Sequence, residues 1–302
     1  MTAQSAARNE LRFLDPAVLA RLGTLELKAR TVVEGLLSGL HRSPYRGFSV
    51  EFAEYRQYLP GDDLSTIDWK VYARSDRHYV KKFEEETNVA CRLLLDVSAS
   101  MGYGSRGVTK LQYGAFLAAS LAYLMNRQRD AVGLSTFDET IVDMIPPSAR
   151  PGHLHSVLVT LDRMTLGRRT NFAKPLHLLA EGIGKRGMVV LISDLLDDPD
   201  PIVEGLRHLQ FRGSEVIVFH LLDPAELTFP FQRAARFRDV EAGEELTAVP
   251  SVVRQEYLDA LNGALGRFTR ELGSAGIDYR VVDTSTPLEF ALVSYLATRG
   301  RV

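Results

Sequence analysis

The stretch "VACRLLLDVSASMG", Val89 to Gly102, decides the fold. Leu93, Leu94 and Leu95 follow one another without a polar break. That is the pattern of a strand buried on both faces, and such strands belong to parallel sheets covered by helices on either side. The run stops on Asp96, and Ser98 and Ser100 follow at alternate positions. A carboxylate at the end of a buried strand either caps the turn that follows or meets groups brought from elsewhere in the chain.

Downstream the same texture repeats. A helix is expected from about Thr109 to Arg127, then "AVGLSTF" and "TIVDMIP" around "DE" as an antiparallel edge hairpin. Helices near His153 to Arg163 and over "AKPLHLLAEGIG" precede the strand "GMVVLISDL". The helix "DPIVEGLRHLQFRG", the strand "EVIVFHLLD", a long helix over about Ser251 to Leu272, the strand "IDYRVVD" and the helix "PLEFALVSYLATRG" complete the alternation. The fold class is α/β: a doubly wound, mostly parallel sheet. Residues 225–249 break the rhythm and read as an inserted β-hairpin turning at "EAG".

Upstream the pattern differs. Residues 1–40 form a helical arm: Asp15 before Pro16 is an N-cap followed by a first-turn proline, and Gly23 and Gly39 read as stops. Residues 41–87 read as a small, mostly β module, with partial alternation at Phe48, Val50 and Phe52, a turn at Pro60 to Asp63, and a strand near His78 to Phe83. The acidic turn caps "LSTIDW", or forms a second acidic contact surface, or pairs with Arg56 and Arg74, and Trp69 is expected to anchor packing between domains. Residues 88–302 form the α/β domain.

Composition narrows the function classes. The 302 residues carry a formal charge of −2, 45% hydrophobic and 25% charged residues. This is an ordinary globular balance with no compositional case for nucleic acid or an anionic membrane as partner. The single cysteine, Cys91, excludes an intrachain disulfide and suits a reducing cytoplasm. The apolar run "YGAFLAASLAYLM" has 13 residues, short of the roughly 18 needed to span a bilayer. No signal-peptide core precedes it, so a soluble, cytoplasmic protein is expected.

In a doubly wound sheet, ligands bind beyond the carboxyl ends of the strands where strand order reverses. If the strands ending at Asp96 and Asp194 flank that point, their carboxylates face one crevice, and the loop "GRRTNF" brings Thr170 to it. The set Asp96, Ser98, Ser100, Thr170 and Asp194 offers five oxygen side chains and neither His nor Cys. Hard oxygen donors favour Mg²⁺, with Mn²⁺ close behind. Arg168 and Arg169 lie beside the set. The acids after Asp194 (Asp197, Asp198, Asp200 and Glu204) suit the start of a helix, whose dipole favours negative charge.

"DVSAS", the "RTN" around Thr170 and "LISDL" at Asp194 together resemble the metal-ion-dependent adhesion site of von Willebrand factor A domains. The resemblance implies that Ser98 and Ser100 coordinate the ion directly. It implies that Asp96, Thr170 and Asp194 bind directly or through water, and that a partner's acidic residue completes the shell. The segment "SPYRGFSVEFAEYRQYLPGDDLSTIDWKVYARSDRHYVKKFEEE", just before the strand, resembles the bacterial domain-of-unknown-function family fifty-eight. Its members are von Willebrand A-like and associate with MoxR-type AAA+ ATPases. The likeness covers about residues 35–300 and implies an adaptor or partner of such an ATPase, or a binder of its client.

Two other functions remain open on the residues alone. A metal-assisted phosphohydrolase would use Asp96 as a strand-end nucleophile, yet the second acid it needs two positions later is Ser98. Neither a Walker-type phosphate loop nor Gly-x-Ser-x-Gly occurs. A structural subunit with a vestigial site is the other. The expectation is a binding protein and not an enzyme.

Overall fold

The computed structural model describes residues 15–42, 54–57, 79–82, 90–169, 171–182, 187–233, 235–238 and 245–299. Thr170, Trp69, the turn at Pro60 to Asp63 and the "EAG" turn lie outside the described residues. The chain divides into two compact units, one of residues 1–38 with 89–302 and one of residues 39–88.

The first helix, α1, is a single turn, Pro16–Leu19. Asp15 caps it by accepting from the Ala17 amide at 2.8 Å. Helix α2 spans Leu25–Arg42 and runs past Gly39 rather than stopping there. One glycine inside a helix costs only about 1 kcal/mol, which neighbouring residues outweigh. Ala29, Val32, Val33 and Leu36 form its buried stripe. In the smaller unit, β1 (Glu54–Gln57) pairs antiparallel with β2 (Tyr79–Lys82), Glu54 opposite Lys82.

The larger unit is built on six strands. β3 is Ala90–Asp96, and helix α3 follows as Lys110–Arg127. Thr109 and Gln112 form a reciprocal capping box at its start. β4 (Ala131–Phe137) and β5 (Ile141–Ser148) make the antiparallel hairpin. Then come α4 (His153–Arg163), α5 (Ala173–Gly182), β6 (Gly187–Ser193), α6 (Pro199–Phe211) and β7 (Ser214–Leu222). After the short helix α7 (Pro224–Thr228), β8 (Ala235–Arg238) pairs antiparallel with β9 (Glu245–Ala248). Helix α8 (Pro250–Ser274), strand β10 (Asp278–Asp283) and helix α9 (Glu289–Arg299) end the fold.

The sheet order is β10-β7-β6-β3-β4-β5, parallel except for β5. This is the doubly wound α/β sheet expected from the apolar runs. From β3 the chain moves outward through β4 and β5, then returns to the other side of β3 for β6, β7 and β10. Strand order therefore reverses between β3 and β6, and the crevice opens there.

Alternate residues of the central strands face opposite layers. Leu94, Val189, Leu191, Val216 and Val218 pack with α5, α6 and α8 in one continuous core. On the opposite face α3 crosses so closely that a Cβ on Gly114 would meet Leu95 at 2.9 Å, Ile192 at 3.3 Å and Leu221 at 3.4 Å. Gly114→Leu is expected to destabilise the fold by about 3 kcal/mol through overpacking, read as a lowered urea midpoint. An unchanged midpoint would mean that α3 can lift from the sheet without cost.

Candidate metal centre

Asp96 is the last residue of β3, and all its surroundings are protein: it is fully buried. Its Oδ1 accepts from the Ser98 amide at 2.8 Å, and its Oδ2 accepts from Ser193 Oγ at 2.6 Å. Ser193 ends β6, which pairs with β3 up to Leu95 opposite Ile192. Its hydroxyl also accepts from the Leu195 amide at 2.9 Å. The crevice floor is thus a closed chain of bonds between the ends of the two switch-point strands.

Ser98 and Ser100 are both buried, with their Oγ atoms 3.0 Å apart. Ser98 precedes a short 3₁₀ turn (Ala99–Gly102), yet its hydroxyl makes no capping bond. Asp96 bonds the amide of Ser98 itself, the residue before the turn. The two hydroxyls hydrogen-bond each other, and the same spacing would suit a cation: oxygens about 2.1 Å from a magnesium ion and at right angles lie about 3 Å apart.

Asp194 follows β6 and is also buried. Its Oδ2 lies 2.7 Å from Nζ of Lys110, and its Oδ1 accepts from the Leu196 amide at 3.4 Å. Burial, and then the charge of Asp194, push the Asp96 carboxyl up to about 7, against the opposing bonds from Ser193 and Ser98. Burial and a neighbouring carboxylate thus both disfavour the charged form of Asp96, and a cation in the crevice would favour it. His220, level with Ser193 in the β6–β7 register, is buried against the Tyr279 hydroxyl at 2.6 Å. Burial lowers it to about 4, so it contributes no charge near neutrality.

The loop after α4 lies against the same turn. The Gly167 amide donates to the Val97 carbonyl at 2.6 Å, and the Ala99 amide donates to the Arg168 carbonyl at 2.7 Å. The Asn171 amide donates to the Asp138 carbonyl at 3.4 Å, and the Phe172 amide to Asp197 Oδ2 at 3.5 Å. Arg168 and Asn171, on either side of the undescribed position, are thus each held by a backbone bond. Arg168 is exposed, as are Leu166 and Leu196. The acids after Asp194 do start a helix: Asp198 caps α6 by accepting from the Asp200 amide at 3.1 Å.

Asp96, Ser98, Ser100 and Asp194 thus gather at one switch point. Among the described residues no cluster of three or more His, Cys, Asp or Glu side chains forms a metal site. The donors here are two carboxylates with neutral hydroxyls, a set that fits a hard divalent ion and not a soft one.

Two residues bonded to the aspartates escaped the sequence reading, Ser193 and Lys110. Lys110 is 1% exposed, with Nζ 2.6 Å from Glu226 Oε1 as well as 2.7 Å from Asp194. Burial would lower its pKa, but the charges of Asp194 and Glu226 outweigh that and raise it. Burial pushes Glu226 up in spite of Lys110. Signals for Lys110 were present. It lies at helical spacing with Tyr113, Gly114, Leu117 and Leu121, all buried, and it places a cation in the first turn of α3, where the helix dipole disfavours one.

Several solved structures are similar to part of this chain. BatB from Bacteroides thetaiotaomicron is 17% identical, covering 71% of this chain and all of that one, with a TM-score of 0.47. An aerotolerance-related membrane protein from Bacteroides fragilis is 19% identical over 70% of this chain and 99% of that one, with a TM-score of 0.48. The SpRpn10 VWA domain is 14% identical over 68% of this chain and 94% of that one, with a TM-score of 0.38. Uncharacterized proteins of Mycobacterium bovis and Mycobacterium tuberculosis are 27% identical over 292 residues, spanning 95% of this chain and 91% of theirs. Residues 54–263, more than half of the chain, match the family described as "Protein of unknown function DUF58", and the chain belongs to that family.

Proposed function

We propose that this chain is a metal-dependent protein-interaction module of the cytoplasm and not an enzyme. Asp96, Ser98, Ser100, Thr170 and Asp194 hold one Mg²⁺ or Mn²⁺, and an acidic group of a protein partner completes its shell. The partner is a MoxR-type AAA+ ATPase or its client. The observation that carries the reading is the pair of buried, non-capping serine hydroxyls 3.0 Å apart between two switch-point aspartates. When bound, the ion supplies a positive centre for the partner's carboxylate. Asp96 and Asp194 provide the negative charge that retains it, and the neutral serines leave it electrophilic. Among the described residues no helix is long and apolar enough to cross a membrane.

The test uses the full chain and a purified MoxR-type ATPase from the same organism. That ATPase needs Mg²⁺ for its own nucleotide, so a site variant separates the two requirements better than a chelator does. Ser98→Ala with Ser100→Ala is expected to weaken binding at least about tenfold, the cost of losing two direct ligands. The melting temperature should fall only slightly, because the change removes the bond between the two hydroxyls and the Ser98 hydroxyl's bond to Asp96 and leaves the backbone bond from Ser98 to Asp96 in place. Undiminished ATPase binding by this variant would remove the metal bridge from the account.

A further inference from the structure

Lys110 is a buried cation that the metal reading does not use. Its ammonium sits between Asp194 at 2.7 Å and Glu226 at 2.6 Å. It is also 5.9 Å from the centroid of the Tyr103 ring. Glu226 is in turn held: its Oε2 accepts from the Asp223 amide at 2.7 Å within the capping box of α7. Asp223 accepts from the amide and the hydroxyl of Ser105, at 2.8 and 2.5 Å. Every member of this chain of contacts is anchored, so the ammonium cannot swing away from Asp194 without breaking a buried ion pair.

We infer that Lys110 is a positioning residue that sets the affinity of the crevice for divalent cations, by neutralising Asp194 from behind while Glu226 holds the ammonium in place. A divalent ion entering beside Asp194 meets a carboxylate whose charge is already shared with an ammonium. The ion is therefore held weakly by the protein alone and keeps positive charge facing outward. Glu226 acts in the opposite sense, because it draws part of the ammonium's charge away from Asp194. The inference rests on the metal reading above.

The experiment is a Mn²⁺ titration of the full chain, followed by electron paramagnetic resonance of the free ion. It compares the native sequence with Lys110→Met, Glu226→Gln and the double variant. Lys110→Met is expected to bind Mn²⁺ about tenfold or more tightly, Glu226→Gln about as much more weakly, and the double variant near the native value. Opposite signs are the decisive readout, since a merely structural role would weaken binding in both single variants. If Lys110→Met does not fold, Glu226→Gln and the double variant carry the comparison. Equal affinity across the folded proteins overturns the role of Lys110 and leaves the metal site standing. Absence of Mn²⁺ binding in all of them at millimolar concentration overturns the metal site itself, and this inference with it.

Discussion

Asp96→Asn is expected to abolish divalent-cation binding and, in the metal-free protein, to raise stability at pH 8. The first half follows from losing a carboxylate at the bottom of the crevice. The second follows from its environment. Burial and Asp194 hold the Asp96 carboxyl at about 7, far above the value of an aspartate in an unfolded chain. An acid held higher in the folded state takes up a proton on folding. Its stabilising contribution is complete below about pH 4 and is lost as the pH rises through about 7. The span corresponds to roughly 4 kcal/mol between pH 4 and pH 8.

Asparagine removes that titration. Its amide oxygen can keep the bond from the Ser98 amide, while the bond from Ser193 has to rearrange. The net gain at pH 8 is therefore smaller, about 1–2 kcal/mol. Urea unfolding of both proteins from pH 4 to pH 8 in the absence of metal checks it. A variant less stable than the native protein at pH 8, or one that still binds Mn²⁺, would contradict this description of the crevice.

Asp194→Asn is expected to have the opposite effect on stability. It removes one of the two carboxylates that hold the buried ammonium of Lys110. Breaking a buried ion pair from one side leaves the partner under-compensated and costs about 3 kcal/mol. Glu226 remains and keeps the loss at the low end of that class. The cost should shrink when Lys110→Met is added, because the uncompensated cation is then gone; a double-mutant cycle in urea measures the difference. Native stability in Asp194→Asn, or a full cost that persists beside Lys110→Met, would show that the 2.7 Å contact contributes nothing. Together the two variants separate the two aspartates: both are expected to lose the metal, one while gaining stability and the other while losing it.

The architecture was legible because burial on both faces of a parallel strand leaves a direct trace. "RLLLDV", "MVVLIS" and "VIVFHLL" are apolar runs of strand length, and the helices between them carry 3.6-residue periodicity and capping residues such as Thr109 and Asp198. Helix ends were less secure. Gly39 reads as a stop, yet α2 continues to Arg42, because the helix preference of one residue is a weak signal of about 1 kcal/mol. Asp96, Ser98 and Ser100 were legible as a local motif. Asp194 followed from topology, once two strands were assigned to the switch point.

What the sequence by itself determined is the order of buried strands and covering helices, and with it the crevice in which Asp96 and Asp194 meet. What only the tertiary structure decided is how that crevice is balanced. Ser193 bonds to Asp96 because the β3–β6 register brings their strand ends level. Lys110 reaches Asp194 because α3 crosses the sheet at Gly114 closely enough to bury an ammonium. Its second partner, Glu226, arrives from a capping box 116 residues away. Charge compensation in a buried site depends on distances of a few ångströms between segments remote in the chain. Strand and helix periodicity record which face of an element is buried, and carry no record of what lies opposite it.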